Sequence, residues 1–475
     1  MPFTLMHISD LHRPATDPIS NTELLSALIA DRERGRREDP AIAAPDAIIV
    51  TGDLVQGARL GEADHEAKLD SQYEVAAELL VSLAEEFLDG DRARLVMVAG
   101  NHDVDWNCAL TAMQPVPDGE LEPGFSTAMC GPNDLLRWSW LERRAYRIVD
   151  PAQYQRRLAR FDDLVNRFYA GTEVTMDPLY RMHALLDERI AVVAFSSLVG
   201  NDCFAFHGAI AQDALGKAHL ALEHTPYELR VAAWHHSVEG EPAAGDYMSV
   251  STVHRLIGKG FRLGLHGHQH QAGTQSRYVY LPEEEKMAVV SAGSLCAGAR
   301  GLPIGVNRQY NLIEIADDLC SARVHVREVA AATNFAPARR PDMGFATFAD
   351  LRWTLPFSSE QRDESLTLEA ERALAEGHYT EAERILRRLT RAPGGYARSL
   401  MVATLTEQSA WDRLADELTD PHTIAELVAG IGAIAKSGAH EKAERYLEAH
   451  HARLAAPGPT VRELEALIAA ARGLA

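Results

Sequence analysis

Short apolar runs recur along the first two thirds of the chain, and most of them are apolar at nearly every position. Such runs predict strands covered on both faces, because a strand with one face in water alternates apolar and polar residues. Helical patterns at 20–38 and 70–88 separate the first three runs, which predicts layers of strands and helices in an α/β (α+β) domain. We expect strands at 3–9, 46–51, 94–99, 190–196, 228–234, 261–265, 287–292, 309–315 and 322–328.

Two stretches interrupt this alternation of predicted strands and helices. Residues 104–189 combine a Pro/Gly-rich loop with a helical pattern, and so long an interruption predicts an insertion or lid within a first domain of residues 1–330. Residues 331–362 have no period, which predicts a linker or a loop lying over the first domain. The remaining residues, 363–475, are predicted to form a separate helical domain.

The helical tail repeats itself. GHYTEAERIL (Gly377–Leu386), SAWDRLADEL (Ser409–Leu418) and GAHEKAERYL (Gly438–Leu447) share a small opening residue, a small or apolar middle position and a closing Leu. A period of about 30 residues resembles the tetratricopeptide repeat, although its tryptophan and proline signals are mostly missing. The resemblance implies a surface for a partner protein or for self-association. An ordinary helical bundle that packs on the first domain is the alternative.

Composition excludes several classes of protein. The 68 acidic and 47 basic residues give a formal net charge of −21, which argues against sequence-independent binding of duplex nucleic acid. The five cysteines form no CxxC pair, so neither a zinc ribbon nor a disulfide framework is indicated, and a reducing cytoplasm fits best. The N-terminus lacks the pattern of a signal peptide, and no apolar run approaches the roughly 20 residues of a membrane span. We therefore expect a cytoplasmic protein without membrane segments.

Five of the predicted strands are followed by clusters of Asp, Asn or His. Ligands of covered sheets bind beyond the carboxyl ends of the strands, so these clusters can meet at one edge. Each cluster alone could be a surface pair, a solvated turn or a buried histidine. Together they offer carboxylate, amide and imidazole groups without thiolates, which suits Mn, Fe or Zn rather than a soft metal. The clusters are HISDLH (7–12), VTGDLV (50–55), VAGNHDVDW (98–106), AAWHHS (232–237) and GLHGHQH (264–270).

In order and type, these blocks resemble the calcineurin-like metallophosphoesterase family: Asp-x-His, Gly-Asp, Gly-Asn-His-Asp, His and Gly-His-x-His, over roughly residues 3–330. The resemblance implies a two-sheet β-sandwich flanked by helices, here followed by the α-helical repeat domain. It also implies two divalent or trivalent metal ions bridged by one carboxylate. One ion would lie on Asp10, His12, Asp53 and His270, and the other on Asp53, Asn101, His235 and His268, with Asp53 bridging.

The same resemblance makes His102 the catalytic histidine near the leaving oxygen and Asp103 the carboxylate that orients it. The family usually has His-x-Pro at the fourth block, whereas this chain has Ser237 at the proline position. His235 is therefore favoured over His236 as the ligand, but the choice stays open. His266 falls outside Gly-His-x-His, and we expect it to support the site or to pack beneath it.

The implied chemistry is phosphoester hydrolysis, in which the ions hold a water or hydroxide for in-line attack on phosphorus. We expect a metal-dependent phosphodiesterase acting on a nucleotide-type substrate. A nuclease acting on DNA or RNA is one alternative, and an effector recruited by a partner through the helical repeats is another. Substrate choice depends on the loops at 104–189 and 237–258, which carry no readable motif.

Overall fold

A computed structural model describes residues 2–13, 19–121, 130, 134–223, 225, 227–238, 246–278, 286–298, 301–331, 334–338, 348–353, 355, 359–389, 395–450 and 468–473. The chain divides into two compact units, Met1–Pro356 and Phe357–Ala475. The first unit contains the strands and the second contains helices among its described residues.

The strands and helices of the first unit follow in chain order. The strands are β1 (Phe3–Ile8), β2 (Ala47–Val50), β3 (Leu95–Met97), β4 (Met113–Pro115), β5 (Leu136–Ser139), β6 (Arg144–Ile148), β7 (Thr175–Asp177), β8 (Tyr180–Leu185), β9 (Ile190–Phe195), β10 (Leu229–Ala233), β11 (Phe261–His266), β12 (Gly273–Tyr278), β13 (Lys286–Ser291), β14 (Gln309–Ile315), β15 (Ser321–Ala331), β16 (Asn334–Pro337) and β17 (Phe348–Arg352). The α-helices are α1 (Asn21–Gly35), α2 (His65–Phe87), α3 (Trp106–Thr111), α4 (Pro151–Gln155), α5 (Ala159–Phe168), α6 (Gln212–Glu223) and α7 (Val250–Gly258).

Two seven-stranded sheets form the centre of this unit. One has the order β16-β15-β14-β1-β2-β3, with β17 also paired to β15, and the other has the order β12-β13-β11-β10-β9-β8-β7. Strands β1, β2 and β3 are parallel, as are β9, β10, β11 and β13. In each sheet the carboxyl ends of the parallel strands therefore lie at one edge, where binding sites form.

Alternate residues of the central strands face two different cores. In β1, Leu5 belongs to an apolar cluster shared by both sheets, which includes Val192 and Leu263. Its neighbour Met6 faces a second cluster, to which α1 and α2 contribute. A third cluster joins the other sheet to α6 and α7. Two facing sheets flanked by helices are therefore present, and the predicted fold class is confirmed.

All nine predicted strands are present, as are helices in both predicted stretches before β3. The interruption at 104–189 is shorter than we expected. It contributes α3, α4, α5 and a three-stranded sheet of order β4-β6-β5, but β7 and β8 belong to the second large sheet. Strand β8 pairs with β9 and is only half buried, so its sequence YRMHAL lacks the continuous apolar run that marks a covered strand.

The predicted linker at 331–362 is also corrected. Strands β16 and β17 fall within it, and both pair antiparallel with β15. These are short strands of four and five residues, held by main-chain hydrogen bonds to a long neighbour, so their side chains follow no clear period. The first unit accordingly continues to Pro356.

The described helices of the second unit are α8 (Ser359–Ala375), α9 (Tyr379–Leu386), α10 (Gly395–Glu407), α11 (Trp411–Glu417), α12 (Ile424–Ser437) and α13 (His440–Ala449). The three repeated segments each open with a residue of positive φ, at 79° in Gly377, 54° in Ser409 and 70° in Gly438. The recurring sequence thus marks a recurring turn into α9, α11 and α13. The tetratricopeptide resemblance and the partner-binding role stay predictions.

None of the helices formed by the described residues combines the length and apolar character that a membrane crossing needs.

Candidate metal centre

The predicted ligands gather where the parallel strands end. Their side chains come from loops that directly follow five strands of the two large sheets, so the topology alone brings them to one edge. Asp10, Asp53 and His235 are almost fully buried, with 0%, 1% and 0% of their surface exposed. The seven residues follow β1 (Asp10 and His12), β2 (Asp53), β3 (Asn101), β10 (His235) and β11 (His268 and His270).

Four of these side chains form a first cluster. One ligand atom each from Asp10, His12, Asp53 and His270 lies within 4.8 Å of the other three. His270 Nε2 is 3.2 Å from Asp10 Oδ1 and 3.0 Å from His12 Nε2. His12 Nε2 is 3.8 Å from Asp53 Oδ2. Two carboxylates and two imidazoles therefore point at one volume.

A second cluster lies on the other side of Asp53. Asn101 Oδ1 is 2.9 Å from His235 Nε2 and 3.0 Å from His268 Nδ1, and these two nitrogens are 3.3 Å apart. Asp53 Oδ1 is 3.4 Å from His235 Nε2. The two oxygens of one carboxylate thus face the two clusters.

Protein oxygens face the outer nitrogens of three of the imidazoles, and two of these contacts are hydrogen bonds. His235 Nδ1–H donates to Thr51 O at 2.7 Å, and His270 Nδ1–H donates to Gly301 O. His268 Nε2 lies 3.6 Å from Asp246 Oδ2. Because the outer nitrogen carries the proton, the inner nitrogen of each neutral ring can offer a lone pair to a cation.

The electrostatics of the site call for positive charge. Burial opposes ionisation of His235 and His270, yet the neighbouring Asp53 and Asp10 carboxylates raise the pKa of each imidazole to about 9. The pKa of Asp53 is held well below its usual range, against the effect of burial, by His235 and other histidines. Protons on these rings balance the buried carboxylates, and metal ions would displace them.

The residues present fit divalent metal ions. Asp10 Oδ1 is buried and makes no conventional hydrogen bond, and its neighbour at 3.2 Å is His270 Nε2, itself a predicted ligand atom, so this oxygen is available to a cation. Carboxylate, amide and imidazole donors without a thiolate suit Mn, Fe or Zn.

Backbone strain is concentrated at the same place. A non-glycine residue with positive φ is uncommon and costs of order 1–3 kcal/mol when its surroundings hold it there. Five of the seven predicted ligands have this conformation, and such residues often cluster at functional sites. Their φ values are 53° in Asp10, 45° in His12, 53° in Asp53, 76° in His268 and 54° in His270.

Two motif glycines permit the close approach of these loops. Gly52 has a φ of 102°, and a Cβ there would lie 2.5 Å from His235 Nδ1. A Cβ on Gly100 would lie 2.1 Å from Asp53 Oδ1. The glycines of Gly-Asp and Gly-Asn-His-Asp are therefore required by the packing around Asp53.

His102 lies beside the first cluster. Its ring centroid is 4.7 Å from that of His12, and its backbone amide donates to Asp53 Oδ1 at 2.9 Å. Its Nδ1–H donates to the main-chain oxygen of Gln56 at 2.8 Å, which leaves Nε2 free. The position agrees with a residue that faces the reacting atoms without belonging to either cluster.

The prediction that Asp103 orients His102 is wrong. Asp103 Oδ2 accepts hydrogen bonds from the amides of Gly100 and Leu54, at 2.8 and 3.2 Å, and Oδ1 accepts one from Tyr73 Oη at 3.2 Å. Burial, followed by the charge of Asp53, raises the pKa of Asp103 to about 7. Asp103 therefore braces the turn that carries Asn101 and His102, while a backbone carbonyl orients the histidine ring.

The structure separates the adjacent histidines. His236 Nδ1 lies 2.9 Å from Ser197 Oγ and its Nε2 lies 3.3 Å from Asn201 Nδ2, so both ring nitrogens face residues outside the two clusters. His235 alone of the pair joins Asn101. His266 stacks on Trp234 with ring centroids 5.8 Å apart, and it packs beneath the site as expected.

Sequence reasoning missed the groups that support the ligands. The carbonyls of Thr51, Gln56 and Gly301 act through the main chain, so residue type gives no signal for them. Asp246 lies in the 237–258 loop, where no motif marked it. Asp246 is identified only by its distance to His268, a predicted ligand.

A model of the calcineurin-like phosphoesterase family matches residues 3–272, which is more than half of the chain. The chain belongs to the calcineurin-like phosphoesterase family. Its first unit has the metallophosphoesterase fold, and the helical second unit follows that fold. Membership makes metal-dependent hydrolysis of a phosphoester the general chemistry of the site.

Several solved structures are similar at low identity. The calcineurin-like phosphoesterase YfkN from Bacillus subtilis shares 12% identity, covers 79% of this chain and 98% of its own, and gives a TM-score of 0.31. TT1561 of Thermus thermophilus shares 14% identity over 66% of this chain and 95% of its own, with a TM-score of 0.31. Vps29 from Entamoeba histolytica, solved with zinc, shares 8% identity over 74% of this chain and 99% of its own, with a TM-score of 0.25. These scores are low, so the family assignment depends on the family model.

The search of curated proteins gave no significant match.

The replacement Gly100→Ala tests the close approach around Asp53. The added Cβ would meet Asp53 Oδ1 at 2.1 Å, so the carboxylate must move away from both clusters. We expect affinity for Mn²⁺, measured by calorimetry, to fall by about 10–100-fold, the usual effect of disturbing the support of a ligand. Gly216→Ala is the control, because no atom lies within 4 Å of the new Cβ. Equal Mn²⁺ affinity in both variants would contradict the geometry.

Proposed function

We propose that this phosphoesterase is a dinuclear metal-dependent phosphodiesterase that acts on a nucleotide-type substrate. The observation that carries the proposal is the Asp53 carboxylate, whose Oδ2 is 3.8 Å from His12 Nε2 and whose Oδ1 is 3.4 Å from His235 Nε2. A single carboxylate directed at two ligand clusters is what a bridged pair of ions requires.

The proposed division of ligands follows the two clusters. Asp10, His12 and His270 would hold one ion, and Asn101, His235 and His268 would hold the other, with Asp53 shared. Two bound ions would supply charge stabilisation of the phosphoryl oxygens and an activated water for attack on phosphorus.

His102 is proposed to protonate the leaving oxygen. Its Nδ1–H is held by Gln56 O at 2.8 Å, so a protonated ring presents its Nε2–H on the opposite side. Transfer of that proton to the leaving oxygen, as the bond from phosphorus to that oxygen breaks, would leave a neutral imidazole and an alcohol. A positioned general acid of this kind contributes about 10²–10⁴-fold to the rate.

The nucleotide-type substrate is proposed from charge and from one aromatic pair. The net charge of −21 disfavours duplex nucleic acid but not a small diester. Helix α3 begins at Trp106, directly after the turn that carries His102, and the Trp106 ring lies 5.8 Å from that of Phe206. Phe206 is 42% exposed, so its ring, tilted by 56° from that of Trp106, offers a face on which a nucleobase can stack.

Replacing Asp53 or His268 with Ala should abolish hydrolysis of bis-(p-nitrophenyl) phosphate. Each change removes a proposed ligand, and the loss should be about 10²–10³-fold or more, because the charge stabilisation goes with it. Initial rates with added Mn²⁺ measure the loss, and circular dichroism checks that the variants are folded. His219→Gln, on α6, serves as the histidine control. Full activity in Asp53→Ala or in His268→Ala would contradict the proposed dinuclear centre.

His102→Ala should lower kcat while the metal content stays near that of the wild type. The loss should be greater for a diester with an alkoxide leaving group than for one that releases p-nitrophenolate, which needs little protonation. Rates on both substrates and metal analysis of the purified variant provide the test. Loss of the metal ions in this variant would instead identify His102 as a ligand.

A further inference from the structure

The first unit contains a cavity of about 490 Å³ apart from the metal centre. It lies between residues of the inserted segment and residues of β8, β9 and the loop after β9. Its volume falls within the range of small-molecule sites, and its walls are polar and apolar in about equal parts. The lining includes Leu135, Ile148, Tyr154, Phe161, Leu198 and Val199. None of the seven proposed metal ligands lines it.

Arg181 is the unusual member of this lining. Its guanidinium lies 5.2 Å from the centre of the Phe161 ring, and Nη2 donates a long hydrogen bond of 3.4 Å to Met97 O. Its Nε is buried and has no acceptor. Among the residues that the structure describes, no carboxylate lies within the 4.0 Å of an ion pair. Burial lowers the pKa of this arginine, which indicates how poorly its charge is solvated.

The other two arginines of the cavity are fully engaged with the protein. Arg137 Nε donates to the buried Asp202 carboxylate at 2.6 Å. Arg157 donates to Asn201 O at 3.0 Å and to Leu198 O at 3.1 Å. Buried charges are normally paired, because an unpaired one costs far more than its burial returns. Arg181 as a whole is half-buried, but its Nε is buried without an acceptor, which points to a ligand with a negative charge.

The charge of that ligand is limited by two carboxylates, Asp134 and Asp162, which also line the cavity. Burial raises the pKa of Asp162, and the attraction of Arg181 opposes that rise. A ligand with two or more negative charges would be repelled by these carboxylates, whereas a single charge can pair with Arg181. The apolar half of the lining, which includes the rings of Tyr154 and Phe161, favours a flat, apolar body.

We propose that this cavity binds a small monoanionic organic acid with an aromatic or apolar body. The carboxylate pairs with Arg181, and the body packs against Tyr154 and Phe161. This site is independent of the metal centre and of the proposed phosphodiesterase activity.

Calorimetric titration with 2-naphthoate tests the proposal, with the uncharged 2-naphthamide as the matched probe. We expect saturable binding of the naphthoate and at least tenfold weaker binding of the amide, a factor worth about 1.4 kcal/mol. Arg181→Gln should lose at least tenfold in affinity for naphthoate, and Arg181→Lys should recover part of it. Binding should persist in Asp53→Ala, which would exclude the metal centre as the site.

Arg92→Gln is the matched control. The Arg92 guanidinium lies 5.3 Å from the Phe168 ring centre and donates to Phe168 O at 3.4 Å, but it does not line the cavity. Its replacement should leave naphthoate affinity unchanged. If Arg181→Gln does not fold, the isosteric Gln155→Glu adds a negative charge to the lining and should weaken binding severalfold. No saturable binding at millimolar naphthoate, equal binding of the amide, or unchanged affinity in the folded variants would overturn the proposal.

Discussion

The buried carboxylate of Asp53 is the group on which the rest of the site depends. It is 1% exposed and faces histidines from both sheets, so its charge must be balanced by protonated imidazoles or by metal ions. Gly100 leaves room for it, and the amide of His102 donates to it. Asp53 Oδ1 therefore helps to hold the turn that carries the proposed general acid, and this contact would couple the proposed metal binding to catalysis.

The sheets make this arrangement possible. Parallel strands in each sheet end at one edge, and apolar cores on both of their faces hold those ends in place. The loops beyond them adopt strained backbone conformations at Asp10, His12 and His270, among others. Rigid strands with strained loops hold the predicted ligands close to one another.

Much of the fold and site could be predicted from the sequence because the signals are local. Strands such as β9 are apolar throughout, and proposed ligands such as Asp10 and His268 have distinctive side chains directly after strands. Strands β8 and β17 were not predicted, because main-chain pairing with a neighbouring strand stabilises them and their sequences carry no clear strand pattern. Asp103 was misassigned because neighbours in sequence need not touch, and Arg181 has no local pattern to mark its unpaired charge.

Anomalous X-ray diffraction from crystals grown with Mn²⁺ tests directly whether Asp53 bridges two ions. We expect two anomalous peaks about 3.5–4 Å apart, which is the spacing of two-metal sites, with the Asp53 carboxylate between them. The first peak should lie among Asp10, His12 and His270, and the second among Asn101, His235 and His268. A single peak at full metal loading, or two peaks that Asp53 does not bridge, would contradict a pair of ions bridged by Asp53.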